Sequence, residues 1–381
     1  MSLKFVIAPD SFKESLSARE VATAIEQGIH HALPDAQCVC LPMADGGEGT
    51  AKALCQLHNG QWRCVHVQDP LGKDVRAGYA ILPNQCAVIE MAEASGLALL
   101  TPDQRNPLLT STHGVGEMMR DALSRGVRKF ILGIGGSATN DGGSGMLTAL
   151  GVKFYDADGN TLPPGGGALS SLSRVDLSGL DDRLKESEIT VACDVNNPLL
   201  GDRGASAIFG PQKGADREMV GQLDRALAHY ADKLVQAGFP DHRETAGSGA
   251  AGGLGFALFG LPNSTSESGI ELVIRESGFS EACQDADFVI TGEGRMDGQT
   301  LLGKVPAGVL RHAQKHNTAV IALCGCLGQS HEKLNDLGFS AIFPIIPFLD
   351  NLENTLKAGE VNLVRTARQI AEIIKLSQRS K

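Results

Sequence analysis

Aromatic side chains are scarce in this 381-residue chain: one tryptophan, three tyrosines and thirteen phenylalanines, 4% of the total. A core with so few large rings has to close with aliphatic side chains and near backbone approach, and 46 glycines permit that. This balance suits α/β layers better than an all-β sandwich. No run of 18 apolar residues occurs, so no stretch has the length of a membrane-spanning helix. Basic residues are outnumbered, 34 Lys and Arg against 44 Asp and Glu, for a formal net charge of −10. That argues against nucleic acid or an anionic membrane as the main partner. A locally basic pocket for a small anion stays open. The nine cysteines include no CxxC pair and read as buried thiols of a reducing, cytoplasmic compartment. Cys38/Cys40 and Cys324/Cys326 are CxC pairs, which on strands share one face. The opening MSLKFVIAPDSFKE has no signal-peptide cleavage pattern. HExxH and GxSxG are also missing; His312 and His316 are i, i+4 on a helix but lack a third zinc ligand.

What is present centres on Gly133 to Gly145, GIGGSATNDGGSG. An apolar strand, Lys129–Leu132, runs into it and a helical segment, Met146–Leu150, follows. Glycine at this density lets a backbone take positive φ and approach a ligand. The free N–H groups that open the next helix favour an anion. The expectation is a phosphate or carboxylate cradle with Ser137, Thr139, Asn140 and Asp141 as its polar groups. Two echoes recur, Asp45-Gly46-Gly47-Glu48-Gly49 and Gly249 to Gly255, each before a short apolar segment. Three glycine-opened helix starts facing one site are expected.

The chain ends share one texture. Lys4–Ala8 reads as a buried parallel strand, Ser17 and Glu20 as a capping box, Val39–Pro42 as a second strand, and the segment after Asp45 as a second helix. The rhythm returns with strands at 288–290, 319–323 and 341–346, a helix at 306–316 and a long amphipathic helix at 352–376. Between them come strands at 62–67, 75–82, 86–91 and 189–193 and helices at 110–125 and 218–237. Residues 156–187 read as a surface excursion. The fold expectation is therefore α/β, with a doubly wound domain built from both chain ends (1–60 and 286–381) and an inserted mixed α/β domain (61–285). The active site is expected in the cleft between them, at the carboxyl ends of the strands.

Other candidates cluster after strands. Asp10, Ser11 and Lys13 follow the first strand; Lys13 suits a phosphate or carboxylate and Asp10 suits Mg²⁺ or a substrate hydroxyl. Thr291 to Thr300 holds Glu293, Arg295 and Asp297 among three glycines, a composition that suits a metal–phosphate loop. Gly298 to Lys304 matches GxxxxGK, but Val305 replaces the hydroxyl of a true P-loop; Lys304 stays as a phosphate contact. Gly133 to Ala138 matches the dinucleotide pattern GxGxxA, although Thr139 to Gly143 prolongs the loop where that fingerprint needs a helix. Asp194 and Asn196 end a strand, the first a base or metal ligand and the second a partner for a substrate hydroxyl. Lys213 sits in a tight loop.

These blocks together resemble the type I bacterial glycerate kinases. The likeness runs through APDSFKESLSA (8–18), ADGGEGT (44–50), GIGGSATNDGGSGM (133–146), CDVNNPLLG (193–201), FGPQKGA (209–215), GAAGGLG (249–255) and TGEGRMDGQTLLGKVPAG (291–308). Glu14 stands where many members have glycine, and Ser248 where many have alanine. The resemblance implies an ATP- and Mg²⁺-dependent kinase of D-glycerate, with 2-phosphoglycerate the usual product and 3-phosphorylation the alternative. It also implies a Rossmann-like domain made of both chain ends. In the expected site Asp194 is the base, with Asp45 second, and Lys13 and Arg295 bind anionic groups. Glu293 and Asp297 hold the metal. Lys304, Gly46, Gly47, Gly135, Gly136 and the rest of the Gly133 loop hold phosphate. A nicotinamide-dependent oxidoreductase and a non-catalytic sugar-acid sensor are the rivals. The expected state is a monomer or homodimer.

Overall fold

The computed structural model describes residues 2–298, 300, 304–329 and 331–379. The chain opens with β1 (Lys4–Ile7), α1 (Ala18–Ala32) and β2 (Gln37–Cys40). There follow α2 (Thr50–Leu57), β3 (Gln61–Gln68), β4 (Asp74–Ile81), β5 (Cys86–Glu90), α3 (Ala92–Ser95), α4 (His113–Ser124), β6 (Lys129–Gly133) and α5 (Ser144–Ala149). Next are β7 (Lys153–Tyr155), β8 (Arg174–Asp176), β9 (Glu188–Ala192), α6 (Ala205–Phe209), α7 (Arg217–Gln236), α8 (Ala250–Phe259) and β10 (Ser264–Glu267). The C-terminal part holds α9 (Gly269–Ser277), α10 (Phe279–Cys283), β11 (Phe288–Met296), α11 (Val305–Gln314), β12 (Ala319–Leu327), β13 (Ala341–Pro344), α12 (Leu352–Lys357) and α13 (Gly359–Arg379).

These elements divide into two units. One joins Met1–Asp45 to Ile270–Lys381, and the other is Gly46–Gly269. The divisions fall before α2 and within α9, where the sequence suggested residues 60 and 285. The reason is packing: α2 lies against β4 and β5, and α10 against α11.

The first unit has a five-stranded sheet in the order β13-β12-β11-β1-β2, parallel at every pairing. Counted within the unit this is the flavodoxin-type doubly wound order, which reverses between β1 and β11. The expected capping box is present: Ser17 Oγ accepts from Glu20 N, and Glu20 Oε2 accepts from Ser17 N at 2.8 Å. It starts α1 with Val21, Ile25 and Ile29 facing inward. They join Phe5 and Ile7 of β1, Ile290 of β11 and Leu363, Ala367 and Ile370 of α13 in one core. β11 runs six residues beyond the expected 288–290, paired throughout with β12. The expected helix over 352–376 is two helices, broken at Ala358.

The second unit has a six-stranded mixed sheet, β10-β9-β6-β5-β4-β3. β10, β9, β6 and β5 run parallel, and β5, β4 and β3 antiparallel. Residues 156–187 are more ordered than a surface excursion. β8 pairs with β7, and Leu169 and Leu184, within short 3₁₀ turns, and Leu172, at the end of one, enter the core.

Candidate active site

In the first unit the chain leaves β1 still bonded to β11. Ala8 N donates to Ile290 O at 2.7 Å and Asp10 N to Gly292 O at 2.8 Å. Asp10 therefore stands just past the carboxyl end of β1 and beside the middle of β11, at the point where strand order reverses and where such sheets bind ligands. A cavity of about 280 Å³ opens there. Its lining holds the charged residues Asp10, Lys13, Asp45, Glu293, Arg295 and Lys304, with Ser11, and the apolar residues Phe12, Ile345, Ile346, Leu352 and Leu356.

The charged residues of the lining are internally organised. Glu293 is only 6% exposed; its Oε1 accepts from Thr300 Oγ1 at 2.6 Å and its Oε2 lies 3.5 Å from Lys304 Nζ. Burial nonetheless raises its pKa against those two partners. Asp10 is pushed up to about 7, first by burial and then by the charges of Asp45 and Glu293. Three carboxylates crowd one pocket, and the repulsion is what a dication would relieve. Lys304 caps α11, with Pro306 in the helix's first turn. Arg295 Nε lies 3.3 Å from Asp297 Oδ2. Asp297, expected as a metal ligand, is not among the lining residues. Gln299 and Leu301–Gly303 of the GxxxxGK stretch lie outside the described residues.

In the second unit the Gly133–Gly145 stretch has two halves. Gly135 and Gly136 are exposed, and Ser137 to Gly145 are buried. The exposed half packs on the Asp45 echo: a Cβ on Gly133 would lie 2.6 Å from Gly46 O, and one on Gly135 would lie 3.3 Å from Gly47 Cα. The buried half packs on the third glycine cluster, with Gly142 N donating to Gly252 O at 3.0 Å. The three loops thus meet each other, and much of their glycine serves backbone-on-backbone contact.

Asp141 is fully buried. Its Oδ2 accepts from Thr112 N, Thr112 Oγ1 and Gly145 N at 2.8, 2.9 and 3.2 Å, and its Oδ1 from Gly143 N at 3.1 Å. It builds the loop from inside. Lys213, expected at a ligand, is buried as well, and its Nζ donates to Thr139 O at 2.6 Å. Asn140 Nδ2 donates to Ser206 Oγ at 3.0 Å. The GxGxxA reading fails here, because Ser137 bridges to Gly96 and the helix begins only at Ser144. Asp194 and Asn196 are exposed beyond β9. Asp194 Oδ1 accepts from Ser268 Oγ at 2.7 Å and Gly269 N at 3.0 Å.

Two contributors were not singled out by the sequence, Glu90 because it carried no local signal. Glu90 ends β5, and its carboxylate accepts from Gly49 N at 3.1 Å and Ala51 N at 2.6 Å, holding the start of α2. Thr300 was legible only as part of the GxxxxGK match, yet it anchors Glu293.

A model of the glycerate kinase family matches residues 5–375. The chain belongs to the glycerate kinase family. A glycerate kinase of Haemophilus influenzae is 50% identical over 373 residues, 98% of this chain and 99% of that one. A glycerate 2-kinase of Escherichia coli K12 is 46% identical over 379 residues, 99% of this chain and all of that one. The solved structure of a Salmonella typhimurium LT2 protein described as a glycerate kinase 2 is 48% identical, covers the whole of both chains and aligns with a TM-score of 0.90. No described helix is long and apolar enough to cross a membrane.

Proposed function

We propose that this protein transfers the terminal phosphoryl group of ATP to D-glycerate, giving 2-phospho-D-glycerate, with Mg²⁺ as cofactor. One observation carries the reading beyond the family: the cavity at the β1/β11 reversal is lined by apolar side chains together with three carboxylates and three cations. The apolar side chains suit a nucleotide base. Lys13, Arg295 and Lys304 suit its phosphates, where positioning and charge neutralisation are most of the catalysis.

The oxygen donors fit Mg²⁺, which binds through one or two carboxylates and keeps phosphate and water in its remaining positions. Asp10, Asp45 and Glu293 would hold it. Asp297 is the weaker choice because it pairs with Arg295. When bound, the ion spreads the negative charge of the phosphate oxygens.

Asp194 is the proposed base for the acceptor hydroxyl, oriented by Ser268 and Gly269, with Asn196 beside it. Gly46, Gly47 and the exposed amides of Gly135 and Gly136 are the proposed seat of an anionic group. Lys213 and Asp141 support that seat from behind. The enzyme is proposed to act in the cytoplasm. ADP release from ATP and Mg²⁺ tests the activity: it should require D-glycerate. ATP left intact with D-glycerate, L-glycerate and related hydroxy acids alike would remove the proposal.

A further inference from the structure

α1 and β2 carry a cluster that the kinase reading does not use. Glu26 and His30 lie one turn apart on α1 and so project from one face. Cys38 and Cys40 lie two apart on β2 and also share a face. The two faces meet: one ligand atom each from Glu26, His30 and Cys38 all lie within 4.8 Å of one another. Cys40 lies two residues along the same face of β2; its thiol donates to Ala22 O at 3.9 Å and would turn from there to join the group as a fourth ligand. All four side chains are half-buried.

We propose that Glu26, His30, Cys38 and Cys40 form a binding site for a thiophilic divalent metal of the Zn²⁺ class, which ties edge strand β2 to α1. Two sulfurs, an imidazole and a carboxylate are a zinc-type donor set, and sulfur selects against Mg²⁺. A tetrahedron at zinc bond lengths needs ligand atoms about 3.3–3.8 Å apart. For Glu26, His30 and Cys38, closing from the observed spacing takes roughly an ångström, and Cys40 has to rotate in from its bond to Ala22 O. His30 is already oriented. Its Nε2 stands 3.1 Å from Ala36 O, so Nε2–H donates there and the lone pair lies on Nδ1. A backbone carbonyl on the second ring nitrogen is the usual support of a metal-bound histidine.

The chemistry balances simply. Burial and the Glu26 charge push both thiols up to about 12, so the metal-free protein holds them neutral at pH 7. Binding forms two metal–sulfur bonds and releases one proton from each thiol. The metal would then stiffen an outer strand of the first sheet, and its binding free energy would appear as folding stability.

Chelator-treated full-length protein, titrated with Co²⁺ without oxygen, provides the test. The expected result is one equivalent bound with a thiolate-to-cobalt charge-transfer band and strong tetrahedral d–d bands. One equivalent of Zn²⁺ should displace it, with a rise in unfolding temperature. The C38S/C40S double variant should lose the thiolate band while keeping the kinase activity, and His30→Ala should weaken binding by ~10-fold or more. Wild-type protein that shows no thiolate band, or binds Co²⁺ identically to the double variant, would overturn the site, since carboxylates elsewhere would then account for the binding.

Discussion

Lys213 Nζ donates to the carbonyl oxygen of Thr139 across 2.6 Å, in surroundings that leave the lysine 1% exposed. Burial lowers its pKa from 10.5 to about 7, with Asp141 opposing the shift. The unfolded chain therefore keeps a proton that the folded chain gives up between pH 7 and 10.5. Stability must rise with pH across that window, by up to ~1.4 kcal/mol per unit from this group. Lys213→Met should remove that slope. Denaturant midpoints of both proteins at pH 7 to 10 measure it. A wild-type minus variant difference that stays flat with pH would contradict the buried lysine.

Glu14 has φ of 64°, the left-handed region that costs a non-glycine residue about 1 kcal/mol. The glycine that the family resemblance leads one to expect at this position has a physical reason. Glu14→Gly should be neutral to ~1 kcal/mol stabilising, the relief of strain offset by added freedom in the unfolded chain. Gly252 is the reverse case: its φ is 67° and a Cβ would lie 2.0 Å from Thr139 O. Gly252→Ala should cost ~3 kcal/mol or more, strain and overpacking together. Urea unfolding of the two variants gives both numbers; equal effects would show that backbone geometry does not govern these sites.

Both extremes of the chain were readable because short apolar strands and a complete capping box are local signals. The parallel sheet and the cavity after β1 follow from them. β11 was cut short because Gly292 and Gly294 look like loop residues. In the structure a Cβ on Gly292 would lie 1.9 Å from Leu323 O, so glycine there admits the neighbouring strand. The same ambiguity hid the burial of Asp141 and Lys213. Polar residues in a glycine loop read as ligand groups, and only the tertiary packing of Tyr230, Thr112 and the third glycine cluster reveals that they face inward. Glu90 was invisible because its partners are about forty residues away.

Lys304 and Glu293 separate function from stability. Their 3.5 Å pair is one-third exposed on the lysine side, so it contributes ~1 kcal/mol or less to folding. Lys304→Met should lower kcat/KM by ~10²-fold, consistent with a lost phosphate contact, and leave the unfolding midpoint nearly unchanged. A large loss of stability with normal turnover would make Lys304 a structural residue only.

Asp194→Asn keeps the oxygen that Ser268 and Gly269 bond, so the fold should stand. Turnover should fall by ~10²-fold or more, the low end for a general base. Near-wild-type kcat in the folded variant would remove Asp194 from that role and direct attention to Asp45.

Phosphorus NMR of the protein incubated with ATP, Mg²⁺ and D-glycerate tests the central claim most directly. ADP should appear with one new phosphomonoester that coincides with a 2-phosphoglycerate standard and not with 3-phosphoglycerate. A signal at the 3-phosphoglycerate position would keep the kinase and refute the regiochemistry. Unchanged ATP with D-glycerate, L-glycerate and related hydroxy acids would contradict the account itself.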